Sequence, residues 1–211
     1  MTGMSEVPFP GLSLPPDVAS PWIRRFAPMI REGGPVLDVA CGNGRNGRLF
    51  LARGHPVVFL DVNLRAVGDL ARHPRAECIE ADLETEAPWP LSGRTFAAVV
   101  VVNYLFRPLF AHLIAALAPS GVLLYETFTR AQSITGRPPR NPDHLLEPGE
   151  LLRLTAGHLT PIAFEEGLVA AEPFPGIKQR LAAVKDLGPL AAARPLPPAG
   201  GENPTERIGR G

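Results

Sequence analysis

Seven consecutive apolar residues, Phe96 to Val102 (FAAVVVV), show no alternation of polar and apolar side chains. A strand with one wet face alternates; a strand without alternation is covered on both faces, which places it at the centre of a parallel sheet flanked by helices. The rest of the chain agrees with such a sheet. Strand-like and helix-like segments take turns, which argues for parallel strands joined by right-handed crossovers. Pro35–Val39 and Pro56–Leu60 read as the first two strands, "AECIEAD" as a short third, Phe96–Val102 as the fourth and "GVLLYETF" as the fifth. Between them, Arg45–Arg53 reads as a helix with Leu49 and Ala52 inward and Gly54 past its end. Asn63 caps a helix running to about Arg72, and Pro108–Leu117 carries an apolar stripe at helical spacing. Ahead of all these, Ser20-Pro21 looks like an N-cap with proline in the first turn, opening a helix through Ile30 that Gly33-Gly34 ends.

After Phe128 the pattern changes. "TRAQSITGRPPRNPDHLLEP" has no clear period and holds four prolines and three arginines; long loops of this kind tend to be lids or binding segments. Gly149–Ala156 follows as a helix, then two strand candidates, Leu159–Glu166 and Ile177–Lys185, with turn-rich "EPFPG" between them. Pro161 suits a sheet edge, where a missing amide is tolerated. The expected organisation is a flexible arm over residues 1–16, one domain over 17–186, and a disordered Pro/Ala/Gly-rich tail over 187–211.

Composition excludes several classes. Lysine plus arginine balances aspartate plus glutamate at 21 each, so no overall field recruits nucleic acid or an anionic membrane. No apolar run approaches the roughly 18 residues of a membrane span, and no basic segment leads into an apolar stretch at the N-terminus. A soluble, cytoplasmic protein is expected. The two cysteines, Cys41 and Cys78, lack metal-ligand spacing and read as reduced and structural; no metal is expected.

The stretch "VLDVACGNGRNG", Val36–Gly47, fits two nucleotide-binding patterns. As Gly42-x-Gly44-x-x-Gly47 it has the spacing of a dinucleotide fingerprint, in which backbone amides hold a pyrophosphate; as Asp38-x-Ala40-x-Gly42-x-Gly44 it fits a turn holding a ligand of the opposite charge. Asp61, directly after the second strand, can accept the hydroxyls of an adenosine ribose in either case. Asp38 and Asp82 discriminate. A carboxylate inside an apolar strand is costly to bury and repels a nearby pyrophosphate, whereas a cationic ligand suits it. S-adenosylmethionine brings an ammonium and a sulfonium. Asp82, after the third strand, can take a hydrogen bond from an adenine amino group, and the Leu83 amide can reach the ring. Alternatively, Asp38 is a hydrogen-bonded core acid and Asp82 a turn cap.

In order and spacing, "VLDVACGNGRNGRLFLARGHPVVFLDVN", "IEADLE", "FAAVVVVNYLF" and "LAPSGVLLYETF" resemble the successive motifs of class I S-adenosylmethionine-dependent methyltransferases. "CGNGRN" and "PGELL" look like the tellurite-resistance methyltransferase group within that class. Ala40 stands where the commonest loop has its first glycine, and "NYLF" stands where amino-methylating nucleic-acid enzymes carry N-P-P-Y or D-P-P-Y. The resemblance implies a Rossmann-like, doubly wound α/β sheet of seven strands, mostly parallel with an antiparallel C-terminal strand. It further implies an enzyme whose cofactor S-adenosyl-L-methionine is held by Asp38, Ala40, Cys41, Gly42, Gly44, Asp61, Val62, Asp82, Leu83 and Asn103, with Asn103 beside the transferring methyl.

The acceptor is less constrained. A small molecule is expected, and an anion, thiol or chalcogen oxyanion would fit the lack of an obvious general base. Asn103, Tyr104 and Arg107 are the candidates near the chemistry. Arg45, Arg107, Arg130, Arg137 and Arg140 are the candidates to draw in an anion, since planar guanidinium groups suit oxyanions and carboxylates. An RNA or protein methyltransferase, a non-catalytic S-adenosylmethionine-binding module and a nicotinamide oxidoreductase stay open as alternatives. Oligomeric state is not readable.

Overall fold

A computed structural model describes residues 15, 17–170, 173–186 and 197–198; the expected arm over 1–16 and tail over 187–211 lie almost wholly outside the described residues. Strands β1 (Val36–Val39), β2 (Val57–Asp61), β3 (Ala76–Glu80), β4 (Phe96–Val102), β5 (Leu117–Phe128), β6 (Leu159–Val169) and β7 (Gly176–Lys185) form one sheet in the order β3-β2-β1-β4-β5-β7-β6. The β1–β2, β1–β4, β2–β3 and β4–β5 pairs are parallel, while β7 runs antiparallel to both β5 and β6. Every residue of β4 is buried, as its unbroken apolar run requires. Pro161 sits on β6, the outer strand, beside a register irregularity, so its missing amide disturbs no inner ladder.

Helix α1 (Pro21–Phe26) and helix α2 (Arg45–Ala52) cover one face through Trp22, Phe26 and Phe50. Helix α3 (Phe110–Ala115) and helix α4 (Glu150–Thr155) cover the other through Phe110, Leu113 and Leu151. Ser20 caps α1 as expected, its hydroxyl accepting from the Trp22 amide at 3.1 Å. The inward face of α2 differs from expectation: Asn46, Gly47, Phe50 and Leu51 are buried, and Ala52 is exposed. At Gly47 a Cβ would stand 2.2 Å from Phe59 Cε1, so the absent side chain lets this flank of the helix lie against β2. The segment after Asn63 forms a 3₁₀ helix, Arg65–Arg72, rather than an α-helix.

The long segment after Phe128 is anchored rather than loose. Gln132 is fully buried, donating to Pro138 O at 3.0 Å and accepting from the Ile177 amide at 2.9 Å. Arg107 holds its far end. Its guanidinium meets Glu150 Oε1 at 2.6 Å and Glu150 Oε2 at 3.0 Å, and donates to the carbonyls of Asp143 and Leu145 at 2.8 and 2.9 Å. We expect Arg107→Met to lower stability by about 2 kcal/mol in urea denaturation; a fully buried orphaned carboxylate would cost about 3–5, but the arginine side chain is a third exposed and water softens the loss. Unchanged stability would mean that the segment is held by its other contacts, those of Gln132 among them.

Candidate cofactor and acceptor site

The chain winds outward from β1 through β2 to β3, then crosses to β4 on the opposite side of β1. The C-terminal ends of β1 and β4 therefore part at the point where open α/β sheets bind ligands. Two non-glycine residues there adopt left-handed backbone, Ala40 (φ 50°) after β1 and Asn103 (φ 59°) after β4. Such a conformation costs a side-chain-bearing residue about 1 kcal/mol, and strain of this kind collects at functional rims. Asn103 is fixed by its amide, which donates to Glu126 O at 2.8 Å. Its Oδ1 is buried and accepts no hydrogen bond, so it stands ready for a donor.

Asp38 is 1% exposed in the middle of β1. Its Oδ2 accepts from the Gly47 amide at 2.8 Å, capping α2 from a distance. Burial pushes its carboxyl up to about 7, partly offset by that amide and by the charge of Arg45. A group this costly to ionise gains from a cation. Asp61 staples the turn: Oδ2 accepts from the Gly42 amide at 2.8 Å and Oδ1 from the Asn63 amide at 3.0 Å. Gly42, at φ 56°, has no atom within 4 Å of where a Cβ would lie, so the top of the turn is open to a ligand.

The three glycines of the turn divide. Only Gly42 faces the opening. Gly44 and Gly47 face the core, where a Cβ would lie 2.7 Å from Val67 Cγ1 and 2.2 Å from Phe59 Cε1 respectively. At Gly44 a left-handed φ of 70° and close packing on Val67 call for glycine, whatever its backbone does for a ligand.

A cavity of about 350 Å³ opens beside the turn, lined by Ala40, Cys41, Gly42, Arg45, Asn46, Val102, Asn103, Phe128, Pro138, Pro139 and Phe174. A neighbouring cavity of about 330 Å³ is walled by Asp82 and Leu83 together with Trp89, Phe106 and His112. Asp82 is exposed and caps its own turn, accepting from the Glu84 amide at 2.9 Å. Val62 is 62% exposed and lines neither cavity. Tyr104 is half-buried, and burial beside Glu84, Asp82 and Asp61 pushes its hydroxyl up, keeping it protonated. Burial also pushes the Cys41 thiol up, with Asp38 adding to the effect, so it remains a neutral wall.

Of the five arginines, only Arg45 lines the cavity. Arg107 is committed to Glu150, Arg130 pairs with Glu147 at 2.7 Å, and Arg140 donates to Gly136 O at 2.7 Å. Arg137 is exposed beside Pro138. The Arg107 donors are taken by the Glu150 carboxylate and two carbonyls. Sequence reasoning missed Asn46, Phe128, Pro138, Pro139 and Phe174 as cavity walls. It also missed Glu126, although an acid inside "LLYETF" carries the same signal as Asp38. Among the described residues no cluster of metal-ligating side chains occurs and no helix is long and apolar enough to cross a membrane.

An α/β sheet of this order, with one acid inside β1 and another ending β2 beside an open glycine turn, has the architecture of nucleotide-binding domains. The family model described as "Methyltransferase domain" matches residues 15–163, more than half of the chain; the chain belongs to that family of enzymes. No curated protein matches the sequence. Solved structures share the fold. An enzyme structure described as converting a disulfide bond into a thioacetal group during echinomycin biosynthesis is 19% identical, with a TM-score of 0.61 over 86% of this chain and 85% of that one. A TehB-like SAM-dependent methyltransferase from Corynebacterium glutamicum is 20% identical, with a TM-score of 0.56 over 78% and 87%. The 1,6-didemethyltoxoflavin-N1-methyltransferase of Burkholderia thailandensis is 20% identical, with a TM-score of 0.54 over 78% and 76%.

Proposed function

We propose that this methyltransferase uses S-adenosylmethionine to methylate a small-molecule acceptor in the cytoplasm, with the acceptor in the cavity beside Asn103. The observation that carries the reading is Asp38: a 1% exposed acid beneath an open glycine turn favours a cation and repels phosphate. The fit extends to the neighbours. Asp38 would hold the ammonium group, the backbone of Ala40 to Gly42 would run along the methionyl part, and Asp61 would take the ribose hydroxyls. Asp82 and the Leu83 amide would meet the adenine, and Asn103 Oδ1 would gain the donor it lacks. When bound, the cofactor supplies an electrophilic methyl group. The chain then has to align, enclose and keep water out, and such positioning is worth roughly 7–11 kcal/mol.

The size of the cavity, about 350 Å³, lies at the small end of ligand sites and supports a small acceptor rather than RNA or protein. Titration calorimetry with S-adenosylmethionine and with NAD, followed by transfer of labelled methyl into a cell extract, tests the reading. We expect binding of the first alone and label in the low-mass fraction. Binding of NAD alone would overturn the cofactor assignment, and label confined to RNA or protein would overturn the acceptor assignment.

A further inference from the structure

Two aromatic rings line the acceptor cavity, and each carries a cation against it. The Arg45 guanidinium lies 4.9 Å from the centre of the Phe174 ring, and the Lys178 ammonium lies 4.9 Å from the centre of the Phe128 ring. Lys178 is fully buried and takes no part in the cavity wall, so it meets Phe128 from inside the protein. Phe128 is held in place, since a Cβ on Gly176 would come within 2.6 Å of its Cε1.

The Lys178 amine lies 3.5 Å from Glu126 Oε1, and both side chains are 0% exposed. Neither carboxylate oxygen of Glu126 accepts a hydrogen bond. A buried ion pair is a weak device for stability, because desolvation offsets its attraction. What the pair does achieve is to fix a cation behind an aromatic wall.

An aromatic ring is negative on its faces, and a cation on one face draws electron density towards itself. The opposite face becomes less negative. It then receives an electron-rich or anionic π-system better and an ammonium group worse. Arg45, itself on the wall, adds positive charge across the same cavity, while Pro138 and Pro139 supply flat apolar surface.

Resting on the methyl-transfer reading, we propose that the acceptor is a small planar aromatic compound whose nucleophilic atom is an anion attached to the ring, of the arylthiolate or phenolate type. Phe128 and Phe174 are its specificity-determining walls, and Lys178 and Glu126 are positioning residues acting through Phe128. Attack of such an anion would form a new bond to the methyl carbon as that carbon's bond to the sulfonium sulfur breaks, the electron pair staying on sulfur in the departing S-adenosylhomocysteine; both charges cancel, and a water-poor pocket favours that cancellation.

The test uses the full chain saturated with S-adenosylhomocysteine, so that binding is read without turnover. Calorimetry at pH 8 compares thiophenolate, cyclohexanethiol, thioanisole and benzylamine. We expect thiophenolate to bind at least about tenfold more tightly than cyclohexanethiol and thioanisole, a preference of the size aromatic and cation–π contacts provide, and benzylamine to bind weakest. Phe174→Leu, at a position 44% exposed and hence tolerant of change, should weaken thiophenolate without altering the affinity for S-adenosylhomocysteine. The double variant Glu126→Gln, Lys178→Met should narrow the gap between thiophenolate and thioanisole. Equal binding of cyclohexanethiol and thiophenolate would overturn the aromatic slot, and preferred binding of benzylamine would overturn the sign of its field. Failure of S-adenosylhomocysteine to bind at all would instead strike the methyl-transfer reading.

Discussion

Asp61→Ala should reduce the affinity for S-adenosylmethionine by at least about a hundredfold in titration calorimetry, a difference of about 2.7 kcal/mol. The carboxylate does two things at once. It accepts from the Gly42 and Asn63 amides at 2.8 and 3.0 Å, which ties the glycine turn to the end of β2. It also lies where the ribose hydroxyls would come, with lone pairs to spare. Hydrogen bonds to an ionised group are worth about 1.5–3 kcal/mol each, so losing the ribose contacts alone accounts for most of the effect. Slackening of the turn adds to it. Asp61 is only partly buried, so the variant should keep its melting temperature within a few degrees. Asp61→Asn, which retains one acceptor oxygen, should fall between the two. An alanine variant that binds as tightly as the native chain would remove Asp61 from the site and, with it, the adenosine orientation proposed above.

The order of readability along the chain follows from how local each determinant is. The strands of the parallel half declared themselves because burial on both faces demands uninterrupted apolar residues, and the Val36–Val39 and Phe96–Val102 segments are wholly buried. Asp38 stood out for the complementary reason, an acid where only apolar side chains are affordable. Glu126, an equally buried acid inside an apolar strand, carries the same signal. The roles of Gly44 and Gly47 were not legible, because the spacing of glycines is identical whether the missing side chain makes room for a ligand or for Phe59 and Val67. The walls of the cavity proposed for the acceptor were the least readable. Pro138, Pro139 and Phe174 come from two irregular segments with no period, and they meet Phe128 only because Gln132 ties one of those segments to β7. Arginines suffered a related ambiguity: a guanidinium near a strand end can serve a ligand or a neighbouring carboxylate, and only the position of Glu150 decides for Arg107.

Affinity for S-adenosylmethionine should rise with pH between about 5.5 and 7.5, by up to about tenfold per unit at the acid end, as expected when binding releases one proton. Asp38 is the group concerned. In the folded chain burial raises its carboxyl from 3.8 to about 7, so at neutral pH it is only partly ionised before a cationic ligand arrives. The ammonium group would favour the carboxylate and drive the proton off. Without ligand the sign reverses: a raised folded pKa means that the native state binds the proton more tightly than the unfolded chain. That contribution to stability is complete below about pH 4 and is lost as pH climbs through 7, amounting to about 4 kcal/mol at most. Ligand-free protein should therefore lose stability over the very range in which its cofactor affinity grows. Calorimetry in buffers of different ionisation enthalpy reads the released proton directly, and urea denaturation across the same range reads the stability. Asp38→Asn keeps an oxygen for the Gly47 amide but cannot titrate, so it should bind weakly at every pH and flatten both curves. A native chain whose cofactor affinity is constant from pH 5.5 to 7.5, with no proton released, would show that Asp38 serves the α2 amide alone and that the positive end of the ligand lies elsewhere.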